Sequence, residues 1–272
     1  MLDQVGAFHR TLRENGERVR PVLTRADVDD DGRIGLMLAL EGVEALGHDP
    51  GGMEALWELG VRMVSLTWNR RNAFADGAGE PAGGGLSRLG EELIGRLGEL
   101  GAIVDLVHAS ERTFWDVLER ADGAALLVSH AACRAVLDHP RNLRDEQLRA
   151  LAERGGVLGL MQLPIVIDHE RLTIERVVDH LDHAVAVMGA DHVGLGGDFI
   201  SQVDSVVGVE LPPGAALLPA GMALDAAIEG LTGPEDYPNL VGALEARGYG
   251  GERLEGILSG NLLRLFRGAL PQ

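Results

Sequence analysis

The chain contains no lysine, so arginine supplies all 24 of its Lys and Arg positions against 42 acidic residues. The formal net charge of −18 argues against nucleic acid as a partner, because a protein that neutralises phosphates needs a basic face. An acidic surplus of this size is typical of solvated helix surfaces and aids solubility.

Cysteine and long apolar runs are also scarce. Cys133 is the single cysteine, so no intrachain disulfide can form, and we expect it to be a packed helix residue rather than a nucleophile. No stretch approaches the roughly 20 consecutive apolar residues of a membrane span, and the N-terminus lacks the basic-then-apolar order of a signal peptide. We therefore expect a soluble cytoplasmic protein with no membrane partner.

The composition that is present favours one domain over residues 1–272, since 46% hydrophobic content suffices for a sizeable core. Strand and helix patterns alternate along almost all of the chain, which is typical of βα units around a parallel sheet. Seven strands are predicted, at residues 19–24, 36–41, 61–68, 102–108, 124–130, 156–163 and 192–198. Seven is one short of a closed barrel of eight.

Polar residues close four of these strands: Glu41, His108, His130 and Asp198. Because α/β enzymes place their chemistry at the carboxyl ends of parallel strands, we expect these side chains to converge on one face. Zinc takes histidine nitrogens and carboxylate oxygens, so Glu41, His108 and His130 are predicted metal ligands.

Each of these residues also has a structural interpretation. A lone histidine at a strand end is more often a hydrogen-bonded structural residue than a ligand, and only the pairing favours a metal site. Asp198 follows a glycine-rich run and is predicted to act as a general base, with a helix N-cap as the alternative. His180 and His183 lie three apart on a predicted amphipathic helix, where a packing role is favoured over chelation.

Two stretches interrupt the alternation of strands and helices. Residues 76–87 form a glycine-rich loop after the third predicted strand, either a mobile wall of the site or a plain surface loop. Residues 200–233 contain an apolar segment at 215–228 that is predicted to form a short helix, covering the site or building a subunit contact.

A series of short motifs occurs in a specific order and spacing from about Phe8 onward. They are Glu41-Gly42, residues 59–69, 85–87, 103–110 and 128–130, His139-Pro-Arg141-Asn142, His180-Leu-Asp-His183, residues 193–199, Tyr237-Pro-Asn-Leu240 and residues 260–266. Together they resemble the membrane dipeptidase (renal dipeptidase) family of zinc peptidases, M19, of the amidohydrolase type. The resemblance implies an α/β fold, the (β/α)8 TIM barrel of metal-dependent hydrolases, commonly a homodimer, with a two-zinc centre that hydrolyses dipeptides.

The resemblance also implies roles for individual residues. Glu41 would bridge both metals, and His108 and His130 would complete the shell of the second one. Asp198 would handle the proton of the attacking water and of the leaving amine. Arg141 would hold the terminal carboxylate of the substrate through its planar fork. Two further substrate-binding residues follow from the same motifs, Trp68 and Asn69.

The chain departs from the family pattern at its first strand. The family's first strand carries a His-x-Asp motif for the first metal, and none of the predicted strands offers one; His180-Leu-Asp182 lies in a helical segment and cannot replace it. We expect that the protein starts upstream or that this homologue has lost the strand, and that one or both zinc ions bind. Trp68 stands where many relatives place a substrate-contacting histidine, and Ile200 where many have a second aspartate.

These observations predict a zinc metallodipeptidase that cleaves the dipeptide amide by attack of a zinc-activated water. Two alternatives stay open. One is a truncated, catalytically impaired barrel that acts as a binding protein, and the other is an amidohydrolase that acts on another small amide or a lactone.

Overall fold

The computed structural model describes residues 1–29, 31–80, 82–199, 217–223 and 226–272. The chain divides into two compact units. The first consists of Met1–Leu126 with Leu263–Gln272, and the second of Leu127–Leu262. In both units, short parallel strands are followed by helices, as the alternating sequence pattern predicts.

The first unit contains five strands. They are β1 (Val19–Pro21), β2 (Ile34–Leu36), β3 (Leu38–Glu41), β4 (Val61–Ser65) and β5 (Ile103–Asp105). Strands β3, β4 and β5 pair in parallel in that order, whereas β1 and β2 form a separate two-stranded parallel sheet. The helices of this unit are α1 (Leu2–Glu14), α2 (Gly52–Glu58), α3 (Arg88–Leu100) and α4 (Glu111–Arg120).

Helix α3 shows how local sequence defines these elements. The Ser87 side chain accepts a hydrogen bond from the Gly90 N–H and caps the first turn, while Gly101 ends the helix in the left-handed region at φ 73°. Leu93 and Leu97 are fully buried, as the apolar stripe predicts. The helix therefore covers the sheet with the predicted face.

The second unit contains β7 (Val157–Leu160), β8 (Val193–Leu195) and all of β6 (Leu126–Ala131) except its first residue. The three strands pair in parallel in the order β6, β7, β8. Its helices are α5 (Asp145–Glu153), α6 (Pro164–Ile167), α7 (Ile174–Met188), α8 (Tyr237–Ala246) and α9 (Gly251–Glu255). A π-helical turn, Gly256–Gly260, leads into α10 (Asn261–Ala269), most of which belongs to the first unit.

Glycine is required where β7 meets its neighbours. A β-carbon at Gly159 would lie 2.1 Å from the Ser129 carbonyl oxygen, and one at Gly196 would lie 1.9 Å from the same atom. Side chains at these positions would push the strands apart. The glycines thus fix the carboxyl edge of β6, β7 and β8.

All seven predicted strands are present with shorter bounds, but two details of the prediction were wrong. The strand predicted at 19–24 pairs with β2 rather than with the larger sheet, and the strand predicted at 36–41 is split between β2 and β3. The expected helical setting of Cys133 was also wrong, because this residue follows β6 and forms an isolated bridge with Leu143.

The structure describes most of the first irregular stretch and part of the second. In the loop at 76–87, the buried Asp76 carboxylate binds the Arg71 guanidinium and the Gly84 N–H, which ties the loop down. The helix predicted at 215–228 lies partly outside the described residues, and the described part of it contains turns and a bridge instead of a helix. No described helix is both long and apolar enough to span a membrane.

Candidate active site

Four of the predicted site residues lie together in the first unit, where β3, β4 and β5 end. Glu41 is the last residue of β3, Trp68 and Asn69 follow β4, and His108 follows β5 by three residues. His108 has φ 61°, in the left-handed region that non-glycine residues rarely occupy. We call these four residues the His108 group.

The imidazole of His108 is held through both ring nitrogens. Its Nδ1 lies 2.7 Å from the Asn69 side-chain oxygen, and its Nε2 lies 2.8 Å from a carboxylate oxygen of Glu41. Because the Asn69 oxygen only accepts, Nδ1 carries the proton, and in a neutral imidazole the lone pair of Nε2 then faces the carboxylate. Two such acceptors approach this closely only with a proton or a cation between them.

The geometry at His108 is therefore compatible with a metal. Zinc ligands at about 2.1 Å in a tetrahedral shell lie about 3.4 Å apart, so Nε2 and the Glu41 oxygen need to separate by about 0.6 Å to admit the ion. The His108 side chain is 2% exposed, whereas that of Glu41 is 47% exposed. The nitrogen is thus fixed and the carboxylate has room to adjust.

Two further contacts shape the surroundings of His108. The Trp68 ring lies 5.8 Å from the imidazole, centroid to centroid, and the Thr67 hydroxyl donates a hydrogen bond to the His108 carbonyl oxygen at 3.3 Å. The indole forms an apolar wall beside the imidazole, and the Thr67 hydroxyl holds the carbonyl group of the left-handed residue.

The other three predicted residues lie together in the second unit, where we call them the His130 group. His130 belongs to β6, and its Nε2 lies 3.8 Å from a carboxylate oxygen of Asp198, which is too far for a hydrogen bond. Asp198 follows β8 by three residues and has φ 51°. The guanidinium of Arg141 donates to the His130 carbonyl oxygen at 3.3 Å.

The loop that carries Arg141 is well anchored. The Asn142 side-chain nitrogen donates to the carbonyl oxygens of Leu137 and Val166, at 3.0 and 2.8 Å. Arg141 itself is 6% exposed. Burial lowers the pKa of His139 to about 4, so this neighbour is neutral near pH 7 and adds no charge beside the guanidinium.

His180 and His183 have structural contacts, in line with the packing role favoured from the sequence. His180 is completely buried, its Nε2 lies 2.9 Å from the Ile167 carbonyl oxygen, and its Nδ1 accepts from the Cys133 N–H. His183 lies 2.7 Å from an Asp145 carboxylate oxygen. Burial raises the pKa of the Cys133 thiol to about 12, which agrees with its expected lack of nucleophilic character.

Sequence reasoning missed three polar residues near these strand ends. The Ser129 hydroxyl lies 2.9 Å from Nδ1 of His130, Gln162 is fully buried two residues beyond β7, and Tyr237 opens α8. The strand-end rule that selected His130 also applies to Gln162. Tyr237 belongs to a motif that carried the resemblance, yet it received no role.

Histidines and carboxylates at the carboxyl ends of parallel strands are typical of metal-dependent hydrolases. Comparison with known sequences gives the family: the description "membrane dipeptidase (peptidase family M19)" matches residues 1–220, and the chain belongs to this family. The resemblance predicted from the motifs is confirmed.

Two curated sequences illustrate the relationship. The chain is 30% identical over 269 residues to Dipeptidase verJ of Clonostachys rogersoniana, covering 97% of this chain and 63% of the relative. It is 28% identical to an uncharacterised protein of the pqqA 5′ region of Klebsiella pneumoniae, covering 99% and 96% of the two chains. Across five curated dipeptidases the chain spans 51–63% of the relative's length.

A solved structure with similar architecture is that of a metallopeptidase from Rhodobacter sphaeroides with a phosphinate mimic of the dipeptide L-Ala-D-Ala. It is 29% identical, covers 98% of this chain and 74% of its own, and has a TM-score of 0.81. An M19 dipeptidase structure gives a TM-score of 0.82 at 28% identity over the whole of this chain. Because M19 structures are TIM-barrel metallohydrolases, these likenesses confirm the predicted α/β fold class.

Proposed function

We propose that the protein is a metal-dependent dipeptidase. The observation that carries the proposal is the pairing of His108 Nε2 with the Glu41 carboxylate at 2.8 Å while Nδ1 is committed to Asn69. Membership of a dipeptidase family gives this pairing its context. The dipeptide mimic bound to the Rhodobacter sphaeroides relative supports dipeptides as the substrate class.

The metal ligands we propose are Glu41, His108 and His130, each of which offers one ligand atom. A nitrogen and carboxylate set suits zinc, and we propose one zinc ion or two as the cofactor. When bound, the metal lowers the pKa of water and polarises the scissile carbonyl. The contacts of Asn69 with His108 and of Ser129 with His130 would fix the ring orientations of the two histidines.

Asp198 is the proposed general base. Its carboxylate side chain is 27% exposed and lies 3.8 Å from His130 Nε2, so it is reachable by water and substrate. In this role it accepts the proton of the attacking water and delivers a proton to the leaving amine.

Arg141 is proposed to bind the terminal carboxylate of the dipeptide, a task that suits a planar guanidinium held in an anchored loop. Trp68 is proposed to contact the substrate as an apolar wall. We keep Asn69 as a site residue, with the orientation of His108 as its first role because its oxygen already accepts from that ring.

We propose that residues 1–272 form a single dipeptidase domain, that the protein is cytoplasmic and that it is a homodimer. Size-exclusion chromatography with light scattering tests the last of these.

The deciding experiment measures zinc per chain and dipeptide hydrolysis on the same preparation, with His130→Ala and His183→Ala as matched variants. We expect His130→Ala to abolish both zinc binding and hydrolysis. His183, which contacts Asp145, is the control, and its variant should retain both. Full activity in His130→Ala contradicts the ligand assignment, and hydrolysis of lactones instead of dipeptides contradicts the substrate class.

A further inference from the structure

Gln162 is a buried amide at the carboxyl edge of the second unit. It follows β7 by two residues and is 0% exposed, and neither its amide nitrogen nor its amide oxygen has a partner of good hydrogen-bond geometry among the described residues. Polar groups buried in this way are nearly always satisfied, so an orphaned amide at a strand end indicates a ligand or a bound water.

The hydroxyl of Tyr237 interacts with this amide. Burial raises the pKa of Tyr237, and the contact with Gln162 partly opposes the rise. An amide NH2 group that donates to the phenol oxygen leaves the hydrogen of the hydroxyl for another acceptor. Because its pKa is raised, the hydroxyl stays protonated near neutral pH.

The approach of Tyr237 depends on a glycine beside the proposed base. A β-carbon at position 197 would lie 2.9 Å from the Tyr237 oxygen and 2.6 Å from the Phe199 ring. The rings of Phe199 and Tyr237 meet edge to face at 5.8 Å. The hydroxyl consequently lies over the backbone immediately before Asp198.

The segment that carries Asp198 is tied to the end of β7. The Gly196 N–H donates to the Leu160 carbonyl oxygen at 3.0 Å, and Met161 N–H donates to the Ala131 carbonyl oxygen at 2.8 Å. Gln162, the Tyr237 hydroxyl and the backbone of Asp198 thus share one edge with His130. The Tyr237 side chain is only partly buried, so a ligand at this edge can reach it.

We propose that the Tyr237 hydroxyl is a substrate-binding group that donates a hydrogen bond to a main-chain oxygen of the dipeptide, with Gln162 as the positioning residue that orients it. This inference rests on the proposed function and extends it to residues that the metal and the base do not involve. It assigns a purpose to the buried amide, which otherwise only costs stability.

The test measures KM, kcat and calorimetric binding of a phosphinate dipeptide mimic for Tyr237→Phe, Gln162→Met and the double variant. Tyr249→Phe is the matched control, because it is the other of the chain's 2 tyrosines and its hydroxyl donates to Asp182. We expect Tyr237→Phe to weaken mimic binding and raise KM about 10-fold or more, with zinc content and Tyr249→Phe unchanged.

Gln162→Met distinguishes a positioning role from a structural one. It replaces an orphaned amide by an apolar side chain of similar shape, so we expect the melting temperature to stay level or rise while mimic binding falls. If Gln162 acts through Tyr237, it has little further effect in the Tyr237→Phe background. Additive losses, or a loss of binding that merely follows a lower melting temperature, overturn the positioning role.

The outcomes separate this inference from the proposed function. Wild-type hydrolysis with unchanged mimic binding in Tyr237→Phe overturns the inference alone. Mimic binding that depends on Tyr237, without hydrolysis of any dipeptide, supports the inference and contradicts the dipeptidase activity. Absence of both binding and hydrolysis in the zinc-loaded wild-type protein overturns the two together.

Discussion

The His108 group and the His130 group each contain a histidine and a carboxylate, but the two histidines differ in how closely their ring nitrogens are contacted. His108 is 5% exposed and has close contacts at both ring nitrogens, at 2.7 Å with Asn69 and 2.8 Å with Glu41. The Nε2 of His130 lies 3.8 Å from Asp198, and the Asp198 side chain is 27% exposed. One group is closed around its histidine, and the other leaves space between histidine and carboxylate.

The difference between the two groups suits metal binding in one case and proton transfer in the other. A metal ligand benefits from a fixed ring whose second nitrogen is held by a hydrogen bond, as His108 is by Asn69. A general base needs access to water and freedom to move a proton between two positions, which the exposed carboxylate of Asp198 has. We therefore expect substitutions of Glu41, Asn69 and His108 to change metal affinity, and substitution of Asp198 to change turnover.

Among the substitutions that distinguish the two groups, Asp198→Asn should have the largest effect. The amide keeps the shape and removes the base, so kcat should fall by about 10²- to 10⁴-fold. Zinc per chain should stay the same, as should both quantities in the control Asp122→Asn, at an exposed turn. Loss of zinc in step with activity would make Asp198 a ligand and remove the distinction between the groups.

Asn69→Ala tests the closed group. Removal of the side-chain oxygen frees the Nδ1 proton of His108 and lets the ring turn, so zinc affinity should fall by about 10- to 100-fold. Competition titration with a zinc-binding dye measures this, and Asn15→Ala, an exposed position on the α1 C-terminus, is the control. Activity should return at high zinc concentration; a kcat that stays low with the site saturated would instead indicate a direct contact with substrate.

Strand periodicity was enough to predict that Glu41, His108 and His130 lie at or near strand ends. Glu41 ends β3, His108 lies three residues beyond β5, and His130 is the last residue but one of β6. Within each unit, parallel strands bring their carboxyl ends to one edge. The same pattern could not reveal that residues 19–24 pair with β2 alone, because pairing depends on contacts that are distant in the chain.

Hydrogen-bond partners were the part that the sequence could not provide. Ser129 is adjacent to His130 and should point to the opposite face of an ideal strand, but the register of β6 against β7 shifts between Val128 and Ala131, and its hydroxyl reaches Nδ1. Gln162 was missed because an amide at a strand end has no metal-ligand pattern. Both depend on a local irregularity or on burial, which only the fold defines.

His180 is a third histidine for comparison, because it is buried and has a packing role with no proposed part in metal binding or catalysis. Burial lowers the pKa of His180 in the folded protein to about 4, from the usual 6.5 of a histidine, so the folded protein keeps the ring neutral. As the pH falls below 6.5 the unfolded chain takes up a proton that the folded chain refuses, and stability drops. At pH 5 the loss from this residue should be about 2 kcal/mol.

Urea unfolding at pH 7 and pH 5 measures this effect. In His180→Gln the drop between the two pH values should shrink by roughly that amount, although the variant is less stable at pH 7 because its backbone partners lose a ring nitrogen each. His183→Gln is the control, since His183 is partly exposed and contacts Asp145. An unchanged pH dependence in His180→Gln would show that this ring does not resist protonation.

Ser129→Ala is the mildest substitution and the closest probe of the contrast between the two histidines. The Ser129 contact with His130 is longer than the Asn69 contact with His108, 2.9 against 2.7 Å, and less buried. A hydroxyl can also donate or accept, so it fixes the ring less strictly than an amide oxygen. Removal of a hydrogen-bond partner from a metal-binding histidine usually lowers metal affinity by about 10-fold or more. For Ser129→Ala we expect a decrease in zinc affinity smaller than about 10-fold. If Ser129→Ala lowers zinc affinity as much as Asn69→Ala does in the same dye titration, the His130 ring is held as firmly as the His108 ring. The two groups would then differ only in the position and exposure of Asp198.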